Sequence, residues 1–403
     1  QKSKKLKFFY VGCVSLLFFS TFASKKFLIQ TFIIMKRLES LDALRGFDML
    51  FISGGASLLI ALAALFPDNA VWQVIDEQMR HVSWDGLRHH DTIFPLFLFI
   101  AGISWPFSLA AQRERGASCG KIYLKIVRRG LTLFLLGMIY GGLLNMHWDT
   151  QRLCSVLGRI GLAWMFAALL YTSVRDWRKL LGFLVALLVG YWLCNILLVA
   201  PDAPAGADPL SREGNIGCYL DRVILGAHCY RPGVYDPEGL FSTLPAIGTA
   251  LMGMLTGRFV LSDEKQLTPA RKAMWIAVAG VACALIGWVW NFVYPINKSL
   301  WSSSFVMAVA GYSLLMFALF YYIIDVRNCR RWDFFFVVIG MNSITIYLTQ
   351  RFAFYYGVHR EVFTGFKELF PEFLQPTVNE VTYIIVWWIF LLFLYRKKVF
   401  LKV

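Results

Sequence analysis

The sequence predicts an all-α polytopic membrane protein, a bundle of about ten core transmembrane helices, possibly preceded by an extra N-terminal hydrophobic segment. Three observations carry this. Hydrophobic residues fill 58% of the 403 positions, and charged residues make up only 16%, too few to coat a soluble globule of this length. The mean hydropathy is +0.57. The third is where the charge sits. A net charge of +15 would point to nucleic acid in a soluble protein, but here the Lys and Arg fall in short segments between apolar runs. The expected partner is therefore a lipid bilayer and not nucleic acid.

In chain order, Lys2, Lys4, Lys5 and Lys7 precede the apolar run from Phe8 to Ala23, as in a signal peptide or signal anchor. Met35 then opens a natural start, so residues 1–34 read as an N-terminal extension and 35–403 as a single transmembrane domain. Spans fall near 47–66, 92–111, 130–146, 160–174, 180–199, 242–260, 273–293, 304–325, 334–350 and 379–396. Most are close to the ~20 residues a helix needs to cross the hydrocarbon core. Basic clusters mark every second connection: Lys36 and Arg37; Arg113 to Arg129; Arg175, Arg178 and Lys179; Lys265, Arg271 and Lys272; Arg327, Arg330 and Arg331; Arg396, Lys397 and Lys398. The positive-inside rule then puts both ends of the core in the cytoplasm, with the protein in the cytoplasmic (inner) membrane. The loop at 81–91 and residues 147–159, 200–241, 294–303 and 351–378 should share the outer face. No internal repeat is evident.

Polar chemistry gathers on that face. The string HVSWDGLRHHD sets His81, Asp85, His89, His90 and Asp91 at the mouth of an uncharged run, Thr92 to Ala111. Ionisable groups at a membrane-spanning helix are functional candidates. Asp85 lies four residues from His81 and holds its imidazole tautomer if the segment is helical; Asp91 is the other candidate. His89 and His90 read as loop or interface histidines.

Arg152 and Arg159 stand two helical turns apart, so both guanidinium groups can face one way and hold phosphate or carboxylate, or serve as interface snorkels. Asp236 and Glu238 enter the mouth of the sixth span. Asn297, Lys298 and Trp301 precede the eighth, and amide, ammonium and indole together suit a sugar. Trp84 and Trp301 suit an aromatic belt equally well. At the opposite face Asp42, Arg45 and Asp48 recur every three residues, which reads as an ion-pair ladder. Cys218 and Cys229 share the long outer loop, where an oxidising compartment would permit a bridge. Neither Cys-x-x-Cys nor His-Glu-x-x-His spacing occurs, so no metal is expected.

Several strings together carry a resemblance: LDALRGFDMLFISGG from Leu41, HVSWDGLxxxDxxFPxFxFxxG from His81, RxxxVLxRIGLAW from Arg152, DPEGLxSTLPAI from Asp236, PINKxLW from Pro295 and GMNSITIY from Gly340. In order and spacing the chain, from about residue 36 onward, resembles the heparan-α-glucosaminide N-acetyltransferase family. The resemblance implies an enzyme that passes an acetyl group from cytoplasmic acetyl-CoA, a co-substrate, across the membrane to the amine of a terminal glucosamine. It implies that His81 is the catalytic histidine, and that the protein is a homodimer.

Two positions depart from the family pattern. The heparan-acting enzyme has an Asn beside the transfer centre in a string like FVNYGGG, whereas this chain reads FISGGAS, with Ala56 at the matching place and Ser53 and Ser57 as the nearest hydroxyls. It also has Asn where Asp85 stands. The expected site comprises His81, Asp85 and Asp91 for the chemistry. Ser53, Trp84, Arg152, Arg159, Asp236, Glu238, Asn297, Lys298 and Trp301 are expected to hold substrate. The alternative is an amino-sugar transporter, for which spans broken at Gly54 and Gly55, or at Pro95 and Pro106, would also serve.

Overall fold

A backbone in hydrocarbon must satisfy its own polar groups, which favours helices, and the computed structural model is built from them. The structure describes residues 38–262, 267–351, 359 and 363–401. The expected N-terminal extension 1–34, the basic pair Lys36 and Arg37, and Lys265 lie outside these residues, as does part of 351–378. Extended pairing among the described residues amounts to isolated bridges.

The helices are α1 (Glu39–Leu50), running through a π segment (Phe51–Gly55) into α2 (Ala56–Ala63); α3 (Ala70–Gln78); α4 (His89–Glu114); α5 (Cys119–Tyr140); α6 (Val156–Ser173); and α7 (Trp177–Leu197). There follow α8 (Ile216–Leu225); α9 (Thr243–Leu261); α10 (Pro269–Trp290); α11 (Ser303–Phe320), extended by a π segment (Tyr321–Val326); α12 (Phe334–Met341); α13 (Ser343–Arg351); and α14 (Gln375–Arg396). Polar side chains fix where several begin: Ser155, Asp176, Asn215, Thr268 and Ser302 each accept a hydrogen bond from a backbone N–H of the first turn that follows.

Eight helices among the described residues are long and apolar enough to cross a membrane. The protein is an all-α polytopic membrane protein. The other two expected spans take a different form. Helix α5 has the length, at 22 residues, but its first half carries Lys121, Lys125, Arg128 and Arg129. The expected span 334–350 is broken at Asn342 (φ −120°, ψ 24°) into two helices of 8 and 9 residues.

Packing depends on small residues. A Cβ on Gly102 would strike the carbonyl of Ala250, one on Gly253 that of Phe99, and one on Gly257 that of Ile103. Gly253 and Gly257 are four apart on one face of α9, so α4 and α9 approach backbone to backbone. The same contact seats Gly46 of α1 against Phe336 and Gly340 of α12 against Asp42.

The connections sort to two ends. At one, Gly86 donates to the carbonyl of Ile296 at 2.8 Å, Leu153 to that of His228 at 3.2 Å, and Arg212 to that of Ser83 at 2.6 Å. The segments around 81–88, 151–155, 200–241 and 291–302 therefore meet. At the other, Arg330 pairs with Glu39 at 2.9 Å, Ser40 N–H donates to Asp325 at 3.2 Å, and Arg258 donates to the carbonyl of Arg175 at 2.6 Å.

Candidate active site

Asp91 is the pivot of the site. It stands in the first turn of α4, where its Oδ2 accepts the N–H of Arg88, so the carboxylate that starts the helix is fixed by doing so. Its Oδ1 lies 2.7 Å from His81 Nδ1, and Lys298 Nζ is 3.2 Å from that oxygen and 3.2 Å from the same ring nitrogen. Asp91 is buried, while the His81 side chain is about half exposed. A carboxylate at Nδ1 fixes the tautomer with the lone pair on Nε2.

Lys298 reaches this place because its loop is folded by Asn297. The Asn297 N–H donates to Ser302 Oγ at 3.0 Å, its Oδ1 accepts from Leu300 N–H at 2.8 Å, and its Nδ2 donates to Asp85 at 3.1 Å. Trp301 completes the turn with φ at 51°, a left-handed conformation that costs a bulky residue about 1–3 kcal/mol. Burial pulls the Lys298 ammonium below the ordinary lysine range, and Asp91 opposes this.

Four expected arrangements take a different form in the structure. Asp85 does not hold His81: residues 81–88 are not helical, so a spacing of four does not place the two on one face, and Asp85 accepts from Asn297 instead. Trp301 is neither a sugar platform nor a belt residue. It is fully buried, packed edge-on by Phe94 and Phe305 under the Arg159 guanidinium, with its indole N–H donating to Thr249. Arg152 bonds both oxygens of buried Asp236, at 3.1 and 2.6 Å, and also Glu238. Asp236 and Glu238 are committed to that pair, and their carboxylates raise the Arg152 guanidinium further against the opposing effect of burial. The ladder in α1 is half formed: Arg45 pairs with Asp42 at 3.1 Å, whereas Asp48 has no hydrogen-bond partner among the described residues.

The remaining candidates fall around this core. Arg159 is fully buried; it donates to the Gly239 carbonyl at 3.3 Å and to Ser242 Oγ, and its Nε and Nη1 lack partners among the described residues. Lys298 lies within electrostatic reach of Arg159 and Glu238, which ties this group to the His81 cluster. Trp84 is held at the rim by the Leu210 carbonyl at 3.1 Å and by Tyr235 and Arg212. Ser53 sits where α1 gives way to α2, with non-helical backbone at Ser53 and Gly54, and its hydroxyl is buried without a partner among the described residues. Cys218 and Cys229 are not bridged. Cys218 packs with Tyr235 and Leu300, and Cys229 with Cys154 and Leu225; burial pushes their thiols up to about 12 and about 11.

His90, read from the sequence as a loop or interface histidine, has its ring centroid 4.5 Å from that of His81 with the two planes tilted by 45°. Tyr312 reaches His89 Nε2 at 3.1 Å, and the only sequence signal for it was a hydroxyl within an apolar span.

The fold and site define the class: a polytopic helical membrane protein with a histidine, carboxylate and lysine gathered where loops meet at one end of the bundle. The chain is 27% identical over 428 residues to heparan-α-glucosaminide N-acetyltransferase of Homo sapiens, covering 91% of this chain and 60% of that protein. It is 28% identical over 406 residues to the Mus musculus protein of the same name, covering 87% and 59%. Both similarities support membership of the heparan-α-glucosaminide N-acetyltransferase family. The chain thus spans about 60% of the length of these relatives. No protein-family model matches it.

Proposed function

We propose that this protein is a transmembrane N-acetyltransferase of the cytoplasmic membrane, moving an acetyl group from acetyl-CoA at the cytoplasmic end of the bundle to the amine of a glucosamine-type sugar at the other. The observation that carries the reading is the 2.7 Å contact between His81 Nδ1 and Asp91, with Lys298 beside both. With Nδ1–H donating to Asp91, His81 Nε2 takes a proton from the sugar ammonium, and the freed nitrogen attacks the thioester carbonyl. The C–S bond breaks as the C–N bond forms, the imidazolium returns its proton to the leaving sulfur, and His81 Nε2 then takes the second surplus proton from the new amide nitrogen. Lys298 supplies positive charge where the carbonyl oxygen becomes negative.

A small apolar cleft lined by Met49, Ile52, Phe94, Phe97 and Tyr347 lies between the π segment after α1 and the helix that bears Asp91. Next in sequence to its lining residues Ile52 and Ser343, the Ser53 hydroxyl and both amide atoms of Asn342 are buried without partners among the described residues, and these are the polar groups an amide-bearing thioester arm would bond. The names of the two relatives support the reaction type.

The test is CoA release by the purified protein in detergent, followed with a thiol reagent. Release should require both acetyl-CoA and glucosamine and match the acetylated sugar one to one. No acceptor-dependent release would overturn the reading in favour of an amino-sugar carrier.

A further inference from the structure

Asp48 is a titratable side chain that the chemistry above leaves unused. It is fully buried in the first span, and both its oxygens lack a hydrogen-bond partner among the described residues. A carboxyl placed so is expensive, and such groups in membrane spans mark ion or proton pathways. Its surroundings fit the second use.

One helical turn along from Asp48, the ring of Phe51 lies 4.6 Å from that of His89. His89 Nε2 is 3.1 Å from the Tyr312 hydroxyl, and Tyr312 lies within electrostatic reach of Asp48. His90 follows His89 in α4, and its ring is 4.5 Å from that of His81. The Nδ1 atoms of His89 and His90 are both buried without partners among the described residues. Beyond Asp48 stands Arg45, within electrostatic reach and paired with Asp42 near the start of α1. His81, His90, His89, Tyr312 and Asp48 thus lie in succession, joined by the ring contact of His81 with His90 and the hydrogen bond of His89 with Tyr312.

We infer that His90, His89, Tyr312 and Asp48 form a proton relay leading from His81 through the bundle toward Arg45 and Asp42. This rests on the acetyl-transfer reading, whose balance requires an outlet. The sugar ammonium carries two protons more than the amide nitrogen keeps; one goes to the CoA sulfur, and the other must leave. Each imidazole accepts a proton at one nitrogen and releases one from the other. The tyrosine hydroxyl accepts and donates in the same way. The Asp48 carboxyl accepts the proton at one oxygen as it releases its own from the other to water at the Asp42 end, and no oxidant or reductant is involved.

The test compares Asp48→Asn, Asp48→Glu and Tyr312→Phe with the wild type in the CoA-release assay, in H₂O and in D₂O. The relay predicts that Asp48→Asn lowers kcat at least ~10-fold with both KM values unchanged, and that its solvent isotope effect rises as proton escape becomes limiting. Tyr312→Phe should act in the same direction, and Asp48→Glu should stay within ~3-fold of wild type. The Tm of Asp48→Asn should not fall, because an amide replaces a carboxyl that has no partner. An unchanged kcat overturns the relay. So does a raised KM for acetyl-CoA alone, which makes Asp48 a donor ligand, or a loss of kcat with an unchanged isotope effect and a lowered Tm, which makes it structural. An inactive wild type overturns the acetyl-transfer reading, and the relay with it.

Discussion

Asp91 and Asp236 are both buried carboxylates paired with a cation, yet the two pairs should fail differently when broken. Asp91 meets a half-exposed histidine and a lysine. Asp91→Asn keeps the shape of the helix cap but can present its amide N–H to Nδ1, which favours the wrong tautomer; kcat should fall ~10²-fold or more with little change in Tm. Asp236 instead accepts from Arg152 and from the N–H groups of Tyr230 and Glu238. Arg152→Met leaves that carboxylate buried and uncompensated, a cost of about 3–5 kcal/mol. A fall of several degrees in Tm, measured in detergent alongside the kcat of whatever remains folded, separates a stabilising pair from a chemical one. A kcat loss in Arg152→Met at unchanged Tm would return Arg152 to the substrate.

At the scale of elements, helix α8 carries a pH dependence. Asp221 is buried there, accepts the Leu240 N–H at 2.9 Å, and is pushed by burial up to about 7 from 3.8. The folded state therefore holds a proton that the unfolded chain has released, and this contribution to stability is present below about pH 4 and lost as pH rises toward about 7. Asp221→Asn keeps the acceptor for Leu240 and removes the titration. Its Tm advantage over wild type should be larger at pH 8 than at pH 5, and an advantage independent of pH would refute the assignment. This element also shows what a sequence can and cannot display. The apolar runs of α4, α6, α7, α9, α10 and α11 were legible because a hydrocarbon solvent leaves one answer for ~20 apolar residues. The helical spacing argument failed at His81 and Asp85 because a polar loop has no period, so the partner of His81 was decided by the cap of the next helix. Trp301 was misassigned because an indole at a span's entry reads alike whether it faces lipid, sugar or core; only the folded loop around Asn297 turns it inward. The break at Asn342 went unseen because one amide barely lowers the hydropathy of its window.

For the whole molecule, the alternation of basic segments was legible because it is written in composition, and the structure gathers the corresponding connections at two ends. That separation gives the account its physical logic. The histidine lies among the loops of one end, while the kinked first span, the buried polar groups of Ser53 and Asn342 and the small apolar cleft lie within the bundle. A soluble acetyltransferase needs no bundle; a donor and an acceptor kept on opposite sides of a bilayer do need one. The measurement that tests this most directly uses sealed proteoliposomes with acetyl-CoA on one side and glucosamine on the other. The account predicts N-acetylglucosamine on the acceptor side and an equal amount of CoA on the donor side, with at least ~10²-fold less of both in His81→Ala. Acetylation only when both substrates share a side, or movement of unmodified glucosamine across the bilayer, would contradict it.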